Sequence, residues 1–223
     1  MHHSTRVFPA FCCAVVSLLA ACEFSDTSVD EKPIDRVYIV DQSGKRWDIT
    51  QAVVRYGFER NGFKFGLGPF TLTPLMNPPA AAPGDSAYPV DADAFSVIGV
   101  SRHGAQRAYR LDDLLDVEVV DDTLGGVPLA VVHRPLSNMP SVCSRVLAAD
   151  TLTLSASGWV YGSESVLFDY ETESMWYRLG GGEALTCIAG AHFEAVLPGV
   201  ASAVSPWNTW RAAHPATTFM LRP

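Results

Sequence analysis

Residues 155–176 read SASGWVYGSESVLFDYETESMW, the densest run of aromatic, glycine and paired polar residues in the chain. Trp159, Tyr161, Val166, Phe168 and Tyr170 fall largely at alternate positions, with Gly162-Ser163 and Glu171-Thr172 as turn signals between them. A period near two with such breaks predicts short, half-buried strands. The fold class that follows is mainly β, a β-rich α+β arrangement. Antiparallel sheets form one compact domain with a few short helices, one of them near the C-terminus.

Working outward, residues 175–178 give another strand before the Gly180-Gly181-Gly182 break. Further on, Ser205 is placed to cap a helix with Pro206 in its first turn, Trp207 and Trp210 lie three apart on one face, and His214-Pro215 stops it. Residues 217–221 then read as a last strand. In the other direction, residues 127–133 are mostly buried-strand material, with Pro128 confined to the strand start or an edge. Residues 95–102 and 105–111 flank His103-Gly104, a tight hairpin turn in which glycine permits positive φ. Residues 111–115 make one helical turn, 118–120 a strand and 122–126 a turn.

Before this body, residues 36–41 read as a strand, 42–45 as a turn and 49–56 as a short amphipathic helix ending at Gly57. Residues 57–69 read as a turn region, because Gly66-Leu67-Gly68-Pro69 lacks the Lys-Ser/Thr and following helix of a phosphate loop. Five prolines in residues 74–89 argue against a regular ladder and for an extended strap over the surface.

The first 21 residues carry Arg6 and an apolar stretch too short to span a bilayer, as in a secretory signal. It ends in Leu19-Ala20-Ala21-Cys22, which resembles a bacterial lipobox. That resemblance implies cleavage before Cys22, acylation of Cys22 with chains such as palmitate, and anchoring by at least two of them, which holds a domain stably where one does not. Glu23 rather than Asp after the cysteine favours the outer membrane, with the domain facing the periplasm. The boundaries that follow are a signal at 1–21, a flexible tether at 22–33, an N-terminal extension packed on the main domain at 34–94, and the β-rich domain at 95–223. Without the signal, 15 basic face 24 acidic side chains, a formal charge of −9 that disfavours nucleic acid as a partner.

Several motifs then occur in order: Ala105-Gln106-Arg107-Ala108-Tyr109, Glu118-Val119-Val120, Leu124-Gly125-Gly126, Ser157-Gly158, Thr172-Glu173-Ser174-Met175-Trp176 and Trp210-Arg211-Ala212-Ala213-His214-Pro215. Together they resemble the bacterial and archaeal domain of unknown function 3179 family, from about Phe95 to the C-terminus. The resemblance implies a secreted or anchored domain and names no substrate. Many members carry Cys-Pro-Leu-Cys after the strand matching 127–133; here Arg134 and Ser137 take the cysteine positions, and Val117 replaces a usual histidine. Thiol or soft-metal chemistry resting on those groups is absent or altered in this chain.

Arg107, Glu118, Ser163, Asp169, Thr172, Ser174, Trp176, Trp210 and His214 are the candidate pocket residues, polar groups in or beside the shared motifs with two tryptophans to wall them. The same residues also read as structural, with Thr172 and Ser174 bonding a turn and the tryptophans filling the core. The acidic run from Asp112 to Asp122 reads as a solvated face and its turns, apart from Glu118, which needs a partner such as Arg107 if buried. His103, His133, His192 and His214 lack metal-ligand spacing, so no metal and no cofactor is expected. Cys143 and Cys187, the thiols left after export and acylation, are possible disulfide partners in an oxidising periplasm. The functional expectation is a non-enzymatic binding or envelope-associated domain with an envelope protein or small ligand as partner. A degenerate redox or metal-handling protein and a hydrolase-like enzyme acting on a small substrate are the alternatives.

Overall fold

The computed structural model describes residues 2, 35–90, 92, 94–133 and 139–223; the expected export signal apart from residue 2, the expected tether with Cys22, and the positions Arg134 and Ser137 lie outside the described residues. Asp35–Pro223 forms one compact unit. It is mostly β, with two short α-helices, Thr50–Tyr56 and Trp207–Ala213.

Three sheets are stacked, and the side-chain alternation of their strands explains the stacking. The six-stranded sheet runs Val196–Leu197, Leu185–Ala189, Met175–Tyr177, Glu164–Asp169, Leu154–Tyr161 and Phe63–Phe65, every neighbour antiparallel. One of its faces sets Trp159, Val166, Phe168 and Ile188 against the Thr50–Tyr56 helix and the Tyr38–Val40/Arg46–Asp48 hairpin. The other sets Leu154, Leu167, Trp176 and Cys187 against Val119, Ala130 and Val132 of a four-stranded sheet. That second sheet, ordered Ser141–Ser144, Val127–Val132, Val119–Leu124 and Leu75–Met76, turns Leu129, Val131 and Val120 towards a five-stranded third sheet. Val127–Val132 is thus covered on both sides, which is why its sequence is a continuous apolar run.

The third sheet runs Ser202–Pro206, Ser96–Arg102, Ala105–Arg110, Thr218–Met220 and Ala80–Ala81. Its outer face holds the Trp207–Ala213 helix, whose Trp210 indole lies so close to Gly99 that a Cβ there would meet the ring at 2.4 Å. His103 and Gly104 make the expected two-residue hairpin turn, with φ of 46° and 82°. Two pairings are parallel: Thr218–Met220 with Ala105–Arg110, and Leu75–Met76 with Val119–Leu124.

Four local expectations are corrected. Residues 57–69 are more than a turn: a 3-10 turn at Arg60–Gly62 delivers Phe63–Phe65 as the edge of the six-stranded sheet. The proline-rich strap lends Leu75–Met76 and Ala80–Ala81 to two different sheets, each pairing too short for a proline to interrupt. Ser205 does not cap the last helix, because it is still in the Ser202–Pro206 strand and Pro206 takes the cap position. The acidic run is not uniformly solvated: Asp121 and Asp122 are buried in Val119–Leu124, a strand between two sheets in which only Thr123 is exposed. Each acid meets an arginine, Asp122 Oδ2 receiving Arg107 Nη1 at 2.5 Å and Asp121 Oδ2 lying 3.6 Å from Arg145 Nη1.

One device closes two hairpins. Asp41 Oδ1 accepts from Ser43 N, Ser43 Oγ and Lys45 N while its Oδ2 accepts from Trp47 Nε1 at 2.8 Å. Asp169 Oδ1 likewise accepts from Thr172 N and Oγ1, and its Oδ2 from Trp176 Nε1 at 2.8 Å. A carboxylate satisfying a turn on one oxygen and an indole on the other allows both rings to be buried without an orphaned donor.

Candidate functional site

The strand Leu154–Tyr161 does not run evenly beside its partner Glu164–Asp169. Ala156 faces Leu167 and Val160 faces Ser165, so the three residues Ser157, Gly158 and Trp159 lie opposite the single Val166. The surplus makes a bulge, with Gly158 at φ 73° and the Ser157 hydroxyl accepting from Trp159 N at 3.1 Å. Glycine is required there, since a Cβ on Gly158 would meet Leu67 N at 2.5 Å. Gly66 donates to the Gly158 carbonyl at 2.9 Å and accepts from Gln42 N at 2.9 Å, tying the N-terminal hairpin to the bulge.

These constraints leave a groove of about 380 Å³ lined by Phe65, Leu67, Trp159, Gly158, Glu118 and Ser165, with Gln42 and Val160 completing it. Its wall is largely apolar. Phe65 is 70% exposed and Leu67 is partly exposed, whereas the Trp159 ring is buried and its Nε1 has no hydrogen-bond partner among the described residues. One polar pole stands against this surface, where Ser165 Oγ donates to Glu118 Oε2 at 3.4 Å.

Two of the eight left-handed non-glycine residues among the described residues lie in this groove. Phe65 has φ 70° and Glu118 φ 58°, left-handed conformations that cost a non-glycine residue about 1–2 kcal/mol. An exposed aromatic ring on a left-handed backbone bears two unfavourable terms together, the pattern found where strain serves a site. The Glu118 carbonyl accepts from His133 N at 2.9 Å, so the groove adjoins the residue just before positions 134–137.

The nine candidate residues named from sequence are spread over five places. Glu118 lies in the groove. Asp169, Thr172, Ser174 and Trp176 form the packed hairpin closure described above, with Thr172 Oγ1 and Ser174 Oγ 2.6 Å apart. Arg107 bonds Asp122 and, through Nε, Thr218 Oγ1 at 3.2 Å, while Tyr109 Oη donates to the same Asp122 oxygen at 2.7 Å. Burial, together with the Asp122 charge, pushes the Tyr109 hydroxyl pKa well up, keeping it a donor. Trp210 donates from Nε1 to Thr217 Oγ1 at 3.0 Å, and His214 lies on its ring with centroids 3.9 Å apart. Ser163 is exposed in the two-residue turn between Tyr161 and Glu164.

Cys143 and Cys187 are both buried thiols, without a disulfide between them. Burial pushes the Cys187 thiol up to about 12, and it donates to the Ala189 carbonyl at 3.4 Å, the condition of an unreactive core cysteine. Among the described residues no group of three or more His, Cys, Asp and Glu side chains is placed to hold a metal ion. Sequence reasoning gave no site role to Phe65, Leu67, Gly158 or Ser165, reading Leu67 as part of a turn and Gly158 as part of a shared motif, and took Trp159 only as a strand residue. The available signal was the glycine spacing at Gly66 and Gly158, which marks close backbone approach.

Fold and groove together define a β-rich domain with a strained, mostly apolar surface cleft. A family model described as a protein of unknown function, DUF3179, matches residues 73–223, and the chain belongs to that family. Gln42, Phe65 and Leu67 precede the matched region, so one wall of the groove comes from outside it. No curated protein and no solved structure matches the chain.

Proposed function

We propose that the protein is a lipid-anchored, periplasm-facing envelope protein whose domain binds a small, largely apolar group in the Phe65–Trp159 groove. The carrying observation is the coincidence, in one cleft, of an exposed aromatic ring, two left-handed non-glycine residues and a buried indole N–H without a partner. Retained strain and an unsatisfied donor are both costs that an occupant offsets. The apolar rings supply contact area, and Ser165 and Glu118 fix one polar end of the ligand. Thiol exchange at residues 134–137 is no part of this reading, because Arg134 and Ser137 offer no thiol. Anchoring rests on the lipobox at residues 19–22, and no described helix is long and apolar enough to cross a membrane.

The test uses N-phenyl-1-naphthylamine, a neutral apolar fluorophore, titrated into residues 23–223 with tryptophan-to-probe energy transfer as the readout. Saturable, one-to-one transfer that weakens roughly tenfold or more in Leu67→Asp supports the groove. Non-saturating transfer, or equal affinity in the variant, refutes it.

A further inference from the structure

A second surface has the opposite character. Two adjoining clefts of about 420 and 470 Å³ share Val40 and Arg60. Between them they are lined by four cations, Arg36, Arg46, Arg60 and Lys64, and by no carboxylate. This is anomalous for a chain carrying a formal charge of −8, in which most other described cations sit against an acid.

The four cations are differently prepared. Arg36 bonds Asp48 at 2.7 Å, which neutralises one charge at the rim. Arg46 is held with its guanidinium 4.0 Å from the Tyr38 ring centroid, a contact that orients the fork and leaves its N–H groups available. Arg60 and Lys64 are exposed, and neither they nor Arg46 has an ion-pair partner among the described residues. The nearest acids in sequence, Asp35, Asp48 and Glu59, do not line the clefts. Asn61 adds an amide beside Arg60 and Lys64.

We infer that these clefts form a binding site for a phosphate group, gripped by the Arg60, Lys64 and Arg46 side chains. Arginine matches the geometry of phosphate oxygens in two-point contacts, lysine adds a point charge, and an uncompensated cluster in a concave surface focuses the field on an anion. The phosphate belongs either to a soluble phosphorylated compound or to a lipid headgroup. Arg36 lies 14 residues after Cys22, so an extended tether of that length reaches about 50 Å, and both sources are accessible to an anchored domain. This site shares the Trp159 wall with the apolar groove but rests on different side chains, the cations, and is read with different probes.

The full-length protein in dodecyl maltoside is titrated with inorganic phosphate by calorimetry. In parallel, native mass spectrometry counts phosphatidylglycerol retained against phosphatidylcholine. Each is repeated with the double variant Arg60→Gln/Lys64→Gln and with a charge-matched control, Arg55→Gln/Arg222→Gln, whose positions lie outside both clefts. The inference predicts a salt-sensitive interaction with at least one probe that falls roughly tenfold in the first variant and stays unchanged in the control. Phosphate binding assigns the site to soluble anions, and retention of phosphatidylglycerol alone assigns it to headgroups. Binding of neither probe, or equal loss in both variants, overturns the inference.

Discussion

Asp121 should make this protein lose stability as the pH rises. Its carboxyl is fully buried between two sheets, Oδ2 accepting from Leu154 N at 2.8 Å and Oδ1 meeting no hydrogen-bond partner among the described residues. Burial pushes its pKa up to about 7 from an ordinary 3.8, against the opposing pull of Arg145 and the Leu154 amide. Because the folded value is the higher one, the contribution of Asp121 is fully present below pH 3.8 and is lost as the pH climbs through about 7. The gap of about three units corresponds to about 4 kcal/mol in all, of which about 2–3 kcal/mol falls between pH 5 and pH 8. Asp121→Asn keeps the shape and an acceptor for Leu154 N but does not titrate. Urea unfolding at pH 5, 6.5 and 8 should therefore show wild type falling behind the variant by about 2–3 kcal/mol across the series. With a slope near 2 kcal/mol per molar urea, this moves the midpoints apart by about 1 M. Parallel curves, or wild type gaining on the variant as pH rises, would show that the Arg145 charge outweighs burial and refute the reasoning.

Three further outcomes are expected. Asp169→Ala leaves the Thr172 amide and hydroxyl and the Trp176 indole N–H without their acceptor and should cost about 3–5 kcal/mol in urea unfolding, whereas a loss under 1 kcal/mol would contradict the hairpin closure. Alkylation of denatured, unreduced residues 23–223 should add two labels, at Cys143 and Cys187, by intact mass; a species lighter by two hydrogens and resistant to alkylation would contradict the buried-thiol arrangement. Metabolic labelling with an alkyne fatty acid should mark the wild type and miss Cys22→Ser, and equal labelling of both would remove the anchor from the account.

Much of the architecture is local in origin and so was legible in the sequence. The His103-Gly104 hairpin, the helix ending at Gly57, the buried Val127–Val132 strand and the strands of residues 154–177 follow from turn chemistry and period-two patterning. What escaped depends on which faces meet. Asp121-Asp122 reads as solvated until the strand carrying it is known to lie between two sheets. Ser205-Pro206 has the composition of a helix start, but its backbone is claimed by pairing with Ser96 and Val97. The groove was the least legible, since its strain at Phe65 and Glu118 and its closure by Gly66 on Gly158 arise from segments about 90 residues apart.

Phe65→Asn asks whether the groove's strain is kept for an occupant. Asparagine accepts the left-handed backbone, relieving about 1 kcal/mol, while the loss of a ring already 70% exposed forfeits roughly 1–1.5 kcal/mol of burial. These terms nearly cancel, so stability should stay within about 0.5 kcal/mol of wild type. The measurement is the affinity of the folded variant for N-phenyl-1-naphthylamine. The account predicts a loss of roughly tenfold or more with the unfolding midpoint unchanged; affinity equal to wild type in an equally stable variant would contradict it.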